Sequence, residues 1–277
     1  MTNIFSEIID SKREVVARLR ADRASQDFRE RALAIRRDAT PHRFVQTLES
    51  EPQRLNIIAE FKRRSPSAGI ISSDLSATEV ARCYERGGAC AISVLTDEEY
   101  FGGSIFDLTS VRGSTDLPIV RKDFIIDPIQ IYEAAIAGTD AVLLIAGALD
   151  DTALAKLRAI AEDELALDAL TEVHTSEELR RALNAGAKMI GVNNRNLQTF
   201  QVSLETSECL IAEAPRDRIM ISESGLKSAK SLRHLQALGF HGFLIGETLM
   251  RVTDPENALR DLIGAAELDT ANDNPHQ

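Results

Sequence analysis

Ionisable and amide side chains stand at the ends of short apolar runs along this chain, spaced as an acid–base set would be. Glu60-Phe61-Lys62 closes one run, Arg121-Lys122-Asp123-Phe124 another, and Thr171-Glu172-Val173-His174 a third. Val192-Asn193-Asn194-Arg195, Ser222-Glu223-Ser224-Gly225 and Gly246-Glu247-Thr248 follow. Glu60 and Lys62 are two apart, so an extended strand points both one way and Phe61 the other. A carboxylate beside an ammonium holds it in place and keeps it charged. Any one of these charges could be a solvated strand end. Two lysines and several glutamates facing one mouth are instead a general acid–base set.

Ser224-Gly225 and Gly246-Glu247 add a second signal. Glycines there let backbone N–H groups approach an anion, and barrel enzymes place phosphates in the loops after their last two strands. Lys62 or Ser65 could add a charge or a hydroxyl. Arg63-Arg64 reads as solvated or anion-steering. His174 has no Cys or His at metal-ligand spacing, so no metal site is expected.

The elements that must hold these groups repeat. Apolar runs at Asn56–Phe61, Cys90–Leu95, Pro118–Arg121, Asp140–Ile145, Leu167–Val173, Met189–Val192, Arg218–Ser222 and Gly242–Ile245 read as strands buried on both faces. Helical patterns lie between them at Thr78–Arg86, Ile129–Ala137, Thr152–Ala161, Glu177–Ala185 and Ala229–Leu238, with Ser176 as a cap. Glycine recurs before the strands, at Gly87-Gly88, Gly138, Gly186 and Gly239, as a left-handed helix stop. About eight such βα units favour a closed (β/α)8 barrel in the α/β class over an open sheet, and no glycine-rich nucleotide fingerprint follows Phe61.

Residues 1–50 stand outside the repeat. Ile4, Ile8, Val15 and Leu19 mark one helix face, and His42, Phe44, Val45 and Leu48 suggest a second helix. The expectation is a helical extension over 1–50 capping the barrel, a barrel over 51–268, and a disordered polar tail over 269–277.

Composition bounds the rest. The chain has 277 residues, 44% of them hydrophobic, with 32 Lys+Arg against 43 Asp+Glu for a net charge of −11. That field repels polyanions, which argues against a nucleic-acid or membrane-surface binder, but a local cationic cluster can still take a small anion. Cys83, Cys90 and Cys209 fit buried thiols in a reducing cytoplasm better than a disulfide framework. No apolar run approaches the ~18 residues of a membrane span.

The stretch Ile58-Ala59-Glu60-Phe61-Lys62-Arg63-Arg64-Ser65-Pro66-Ser67-Ala68-Gly69 resembles the first-strand motif of the indole-3-glycerol phosphate synthase family. The resemblance continues through Ser93–Thr96, Phe101–Ser104, Arg121–Phe124, Glu172–His174, Gly191–Leu197, Ser222–Gly225 and Leu244–Met250, in order and over nearly the whole chain. It implies ring closure of 1-(2-carboxyphenylamino)-1-deoxyribulose 5-phosphate with loss of carbon dioxide and water. No metal or organic cofactor is implied, and the partner is a small phosphorylated substrate. The family's N-terminal helical segment matches the opening residues.

By resemblance, Lys122 is the general acid at the carbonyl, and Lys62 is a second cation for phosphate contact or dehydration. Glu172 is the base or hydroxyl-orienting carboxylate. Glu60 and Glu223 position the lysines, and Asn193 holds polar groups of the substrate. Phosphate contacts fall to Lys62, Ser224, Gly225, Gly246 and the backbone of Glu247. Phe101, Phe124 and Leu143 form the slot for the anthranilate ring, and Arg195 meets a substrate anion. Ala68 and Thr171 depart from the usual pattern without removing a catalytic group. The expected state is a cytoplasmic monomer or weak homo-oligomer. Two readings compete: a phosphoribosylanthranilate isomerase-like barrel, usually run by a Cys and Asp pair, and a catalytically silent barrel scaffold.

Overall fold

The computed structural model describes residues 4–23, 26–51, 53–72 and 76–272. Three helices come first: α1 (Ile4–Ala21), α2 (Phe28–Arg36) and α3 (Arg43–Ser50). The strands are β1 (Ile57–Phe61), β2 (Ala91–Leu95), β3 (Ile119–Lys122), β4 (Ala141–Ile145), β5 (Asp168–Val173), β6 (Met189–Asn193), β7 (Ile219–Glu223) and β8 (Gly242–Ile245). They close into a parallel barrel, with Ile58 of β1 opposite both Ala91 of β2 and Leu244 of β8. The outer helices are α4 (Ala77–Arg86), α5 (Ile105–Arg112), α6 (Pro128–Ile136), α7 (Asp151–Ala159), α8 (Ser176–Asn184), α9 (Glu205–Glu213), α10 (Ala229–Leu238), the short α11 (Glu247–Met250) and α12 (Pro255–Asn272). This is a (β/α)8 barrel, as the repeat predicts. Among the described residues no helix is long and apolar enough to cross a membrane.

Strand alternation sorts the core into two layers. Ile57, Ala59, Phe61, Val142, Leu144, Val173 and Val192 pack outward under the helices. Ile58, Val120, Leu143, Leu170, Met189, Ile221 and Leu244 fill the barrel interior. Two residues further along β1, β3, β5 and β7, the same inward face carries Glu60, Lys122, Glu172 and Glu223. An apolar floor thus underlies a charged layer.

Three of these strands run one residue beyond expectation, so Lys122, Asn193 and Glu223 are the last residues of β3, β6 and β7 rather than loop residues. Ladder hydrogen bonds therefore fix their backbones. Thr175, not Ser176, caps α8: its hydroxyl accepts from Glu178 N at 3.2 Å. α12 runs to Asn272, into the stretch read as a tail, and residues 273–277 lie outside the described ones.

The extension reaches both ends of the barrel. Phe44 and Leu48 of α3 are buried against the interior layer. Asp168, at the start of β5, accepts from Val45 N at 3.0 Å, which fixes α3 at the N-terminal ends of the strands. α1 lies at the opposite end, across the mouth. Its buried residues are Ile8, Ile9, Lys12 and Val16, so the inward face is rotated from the one expected, and Val15 and Leu19 are only half-buried.

Candidate active site

The C-terminal ends of the strands open into a cavity of about 940 Å³, within the usual range for a small-molecule site. Every candidate from the sequence lines it: Glu60, Lys62, Ser65, Phe101, Lys122, Phe124, Leu143, Glu172, Asn193, Arg195, Glu223, Ser224, Gly225, Gly246 and Glu247. Ile4, Phe5 and Ile8 of α1 complete its rim, together with Lys227 and Arg251. The sequence marks Ile4 and Ile8 only as one face of a helix, and it singles out none of the five for the site.

Lys122 sits at the centre. Its Nζ donates to Glu172 Oε2 at 2.7 Å and to Glu223 Oε2 at 2.6 Å. Burial works against the ammonium, but Glu172, Glu223 and Glu60 outweigh it and hold its pKa above the ordinary lysine value. The two carboxylates differ in turn. Burial raises both, yet Lys122, His174 and a hydrogen bond from Asn193 bring Glu172 down to about 2. Glu223 gains from Lys122 but is repelled by Glu172 and Glu60, and burial leaves it up at about 7. A buried pair sharing one cation keeps one carboxylate ionised and one near neutrality, so the mouth holds a cation, a base and a carboxylate ready to carry a proton.

Glu60 holds the second lysine, with Lys62 Nζ 2.5 Å from its Oε1. Glycines make room for both carboxylates. A Cβ on Gly246 would lie 2.3 Å from Glu60 Oε1, and one on Gly191 would lie 2.1 Å from Glu223 Oε1. Gly246 has this packing reason besides any anion contact.

At the far side of the mouth Asn194 fixes the loop after β7. Its Nδ2 donates to Ser222 Oγ, Glu223 O and Ser224 O at 3.0–3.1 Å. Ser224 and Gly225 follow with φ of +67° and +77°. A serine in the left-handed region is a strained choice that persists where the surroundings enforce it. Glu247 turns its carboxylate to Arg251 at 3.0 Å and Arg195 at 3.6 Å.

The apolar side is built by Phe124. Phe101 lies 6.0 Å from it and Phe5 of α1 6.2 Å, edge-on, with Leu143 below. Lys12 of α1 is driven into the same wall, 2.9 Å from Asp97 and 2.7 Å from Asp123. Asp97 also takes the backbone N–H groups of Tyr100 and Phe101, and Asp123 takes Thr96 Oγ1 at 2.6 Å and Arg121 Nη2 at 3.1 Å. Opposed by burial, Lys12 and Arg121 still bring Asp123 to about 2. One buried ion cluster thus sets both the slot and the residue after Lys122.

Two expectations are corrected here. Arg63 is half-buried and not simply solvated: it forks onto Asp107 at 2.6 and 2.7 Å and stacks 4.8 Å over Phe61, and Arg64 donates to the Glu98 and Glu99 carbonyls. The thiols are not all buried. Cys83 is half-buried and Cys209 exposed, and only Cys90 is enclosed, where burial pushes its thiol up to about 12. Cys90 donates to Ile57 O, at the end of the barrel away from the mouth. Among the described residues no group of three His, Cys, Asp or Glu side chains is arranged to hold a metal ion.

Solved structures share the barrel at low identity. A thiamine phosphate pyrophosphorylase from Pyrococcus furiosus superposes with a TM-score of 0.57 at 17% identity, covering 79% of this chain and 98% of that one. KGPDC from Streptococcus mutans gives 0.57 at 14% identity, covering 78% and 99%. Such likeness speaks for fold alone. Sequence relatives are nearer. The indole-3-glycerol phosphate synthase of Desulfotalea psychrophila is 46% identical over 264 residues, 95% of this chain and 99% of its own. Those of Aromatoleum aromaticum and Leptothrix cholodnii are 41% and 40% identical, each over 95% of this chain. The family model for indole-3-glycerol phosphate synthase matches residues 5–262. Barrel, mouth and sequence agree, and the chain belongs to the indole-3-glycerol phosphate synthase family.

Proposed function

We propose that this chain closes the ring of 1-(2-carboxyphenylamino)-1-deoxyribulose 5-phosphate, giving indole-3-glycerol phosphate, carbon dioxide and water. The observation that carries the residue-level reading is Lys122, a buried ammonium held by Glu172 and Glu223 above an apolar floor. Lys122 protonates the ketose carbonyl as the aromatic carbon attacks it. Its raised pKa keeps it charged until the carbonyl oxygen gains negative charge. Departure of carbon dioxide restores the ring. Glu172, kept ionised, removes the proton beside the ring nitrogen, and a lysine, Lys122 or Lys62, protonates the hydroxyl that leaves. Glu223 and Glu60 position the two ammonium groups, and Asn193 orients substrate polar groups beside Glu172.

The anthranilate ring fits between Phe101, Phe124 and Leu143, and Phe5 and Ile8 cover it. The phosphate lies at the other side, on Lys62, Ser65 and the backbone of Ser224, Gly225, Gly246 and Glu247, with Arg195 facing a substrate anion. The enzyme works in the cytoplasm in tryptophan biosynthesis, as a monomer or weak homo-oligomer. Neither competing reading is favoured: Cys90 faces the wrong end for an isomerase, and a silent scaffold does not require two lysines paired with buried glutamates at one mouth.

Incubating purified protein with the substrate in buffer containing a chelator should produce indole absorbance and carbon dioxide in equal amounts. Absence of the indole product would rule the activity out.

A further inference from the structure

The charge balance of the proposed reaction requires a proton from outside. The substrate enters with a carboxylate that leaves as neutral carbon dioxide, and the phosphate is unchanged, so each turnover takes up one proton at neutral pH. The proton that Glu172 removes from carbon can pass to a lysine and leave with the hydroxyl. The one given to the carbonyl must be replaced from water. Lys122, which gives it, is buried at 8% exposure.

Behind Glu172, away from Lys122, stands a path. Glu172 Oε2 accepts from Lys122, and its Oε1 lies 3.5 Å from His174 Nε2. That nitrogen is buried and has no hydrogen-bond partner. The other ring nitrogen, Nδ1, is 3.2 Å from Glu178 Oε2, which also accepts the His174 backbone N–H at 2.7 Å. Side-chain exposure rises from 3% at Glu172 to 13% at His174 and 19% at Glu178, so the row leads from the site toward solvent. A Cβ on Gly147 would sit 2.9 Å from Glu178 Oε1, so the neighbouring loop leaves space for that carboxylate.

Resting on the ring-closure reading, we propose that His174 is the proton-delivery residue of this site, carrying a proton from the Glu178 side to Glu172 and so to Lys122. The imidazolium gives its Nε2 proton to Glu172 Oε1 and becomes neutral. A half-turn of the Glu172 carboxyl presents that proton to the neutral Lys122 amine, which restores ammonium and carboxylate together. A flip of the neutral ring turns its bare nitrogen toward Glu178, where it regains a proton from water. Only bonds to hydrogen form and break. His174 acts through Glu172 and does not touch the substrate. The charged groups facing it are Glu172 on β5, Glu178 on α8 and Glu223 on β7. Burial opposes its charge, but these carboxylates hold its pKa above the ordinary histidine value, as a donor requires.

His174→Gln in the full chain tests this, because glutamine keeps size and polarity and carries no exchangeable charge. Wild type, followed with a pH indicator in weak buffer over the first seconds, before the carbon dioxide hydrates and returns a proton, should take up one proton per indole formed. The variant should keep KM within about twofold and lose kcat by about tenfold or more at pH 7.5, the scale of a lost proton-transfer group. Its kcat–pH profile should change shape, and added imidazole should restore turnover. An unchanged kcat and profile would overturn the proposal. So would a kcat loss with an unchanged profile and no response to imidazole, which marks a merely structural role. If His174→Gln fails to fold, Glu178→Gln, which still accepts the backbone N–H, should move the kcat–pH profile to lower pH, and an unmoved profile overturns the proposal. Wild type without indole formation would overturn the ring-closure reading itself, a result distinct from the others.

Discussion

Glu172 and Glu223 grip the same ammonium, yet they hold protons on opposite sides of the ordinary carboxylate range. The difference is in their neighbours. Glu172 has His174 and Asn193 besides Lys122, whereas Glu223 leaves Oε1 buried without a partner and faces two other carboxylates. Stability follows. Between the ordinary glutamate value and about 7 the folded chain keeps a proton on Glu223 that the unfolded chain releases, so this group's contribution falls as pH rises through that window. Glu172 acts oppositely and lower: its contribution is present above the ordinary value and is lost as pH falls toward 2. Denaturant unfolding at pH 5 and pH 7.5 should therefore show a smaller loss of stability with rising pH in Glu223→Gln than in wild type. Equal losses would contradict the assignment. Space at Glu223 is testable too. Gly191→Ala places a Cβ against its Oε1 and should lower kcat at least about tenfold, since a displacement near 1 Å costs on that scale or more. Gly264→Ala, with open space around it, should leave kcat unchanged. The residues proposed for acid–base work were legible because each ends an apolar run at a strand's inward phase. Lys12 was not, because it acts on Asp97 and Asp123 from a separate helix, and His174 showed only as a strand-end residue without metal partners, because its place beside Glu172 and Glu178 is set by side-chain packing.

Among the elements, α1 contributes most beyond the repeat. It supplies Phe5 and Ile8 to the wall of the slot, and it is pinned there by Lys12. Burial disfavours the Lys12 charge, but Asp123 and Asp97 hold its pKa above the ordinary value, so the ammonium stays charged and paired. Lys12→Met leaves two buried carboxylates short of a partner and should destabilise the chain by roughly 3–5 kcal/mol in denaturant unfolding. Phe5→Ala should raise KM and leave unfolding nearly unchanged, because the side chain is only partly buried. A stability change below about 1 kcal/mol for Lys12→Met would mean the ion cluster does not hold α1 in place. The sequence carried the repeat because eight strands are nearly all apolar and glycines such as Gly88 and Gly239 stop the helices at φ of +93° and +117°. It carried α5 poorly: Phe106 is exposed and Asp107 buried against Arg63, which reverses the polarity a helix pattern relies on.

The whole molecule has a net charge of −11 and still presents Lys62, Lys122, Lys227, Arg195 and Arg251 to one cavity. Global charge describes the surface, and strand ends describe the site. Barrels at 14–17% identity share the fold, so the chemistry is specified by the inward residues that close each strand and not by the scaffold. The account stands most directly on Lys122. The deciding measurement is turnover of the carboxyphenylamino-deoxyribulose phosphate by Lys122→Met beside wild type, with substrate affinity read by calorimetry on the folded variant. The account predicts a fall in kcat of about a thousandfold or more, with affinity kept within a few-fold. A variant that turns over within tenfold of wild type would contradict it.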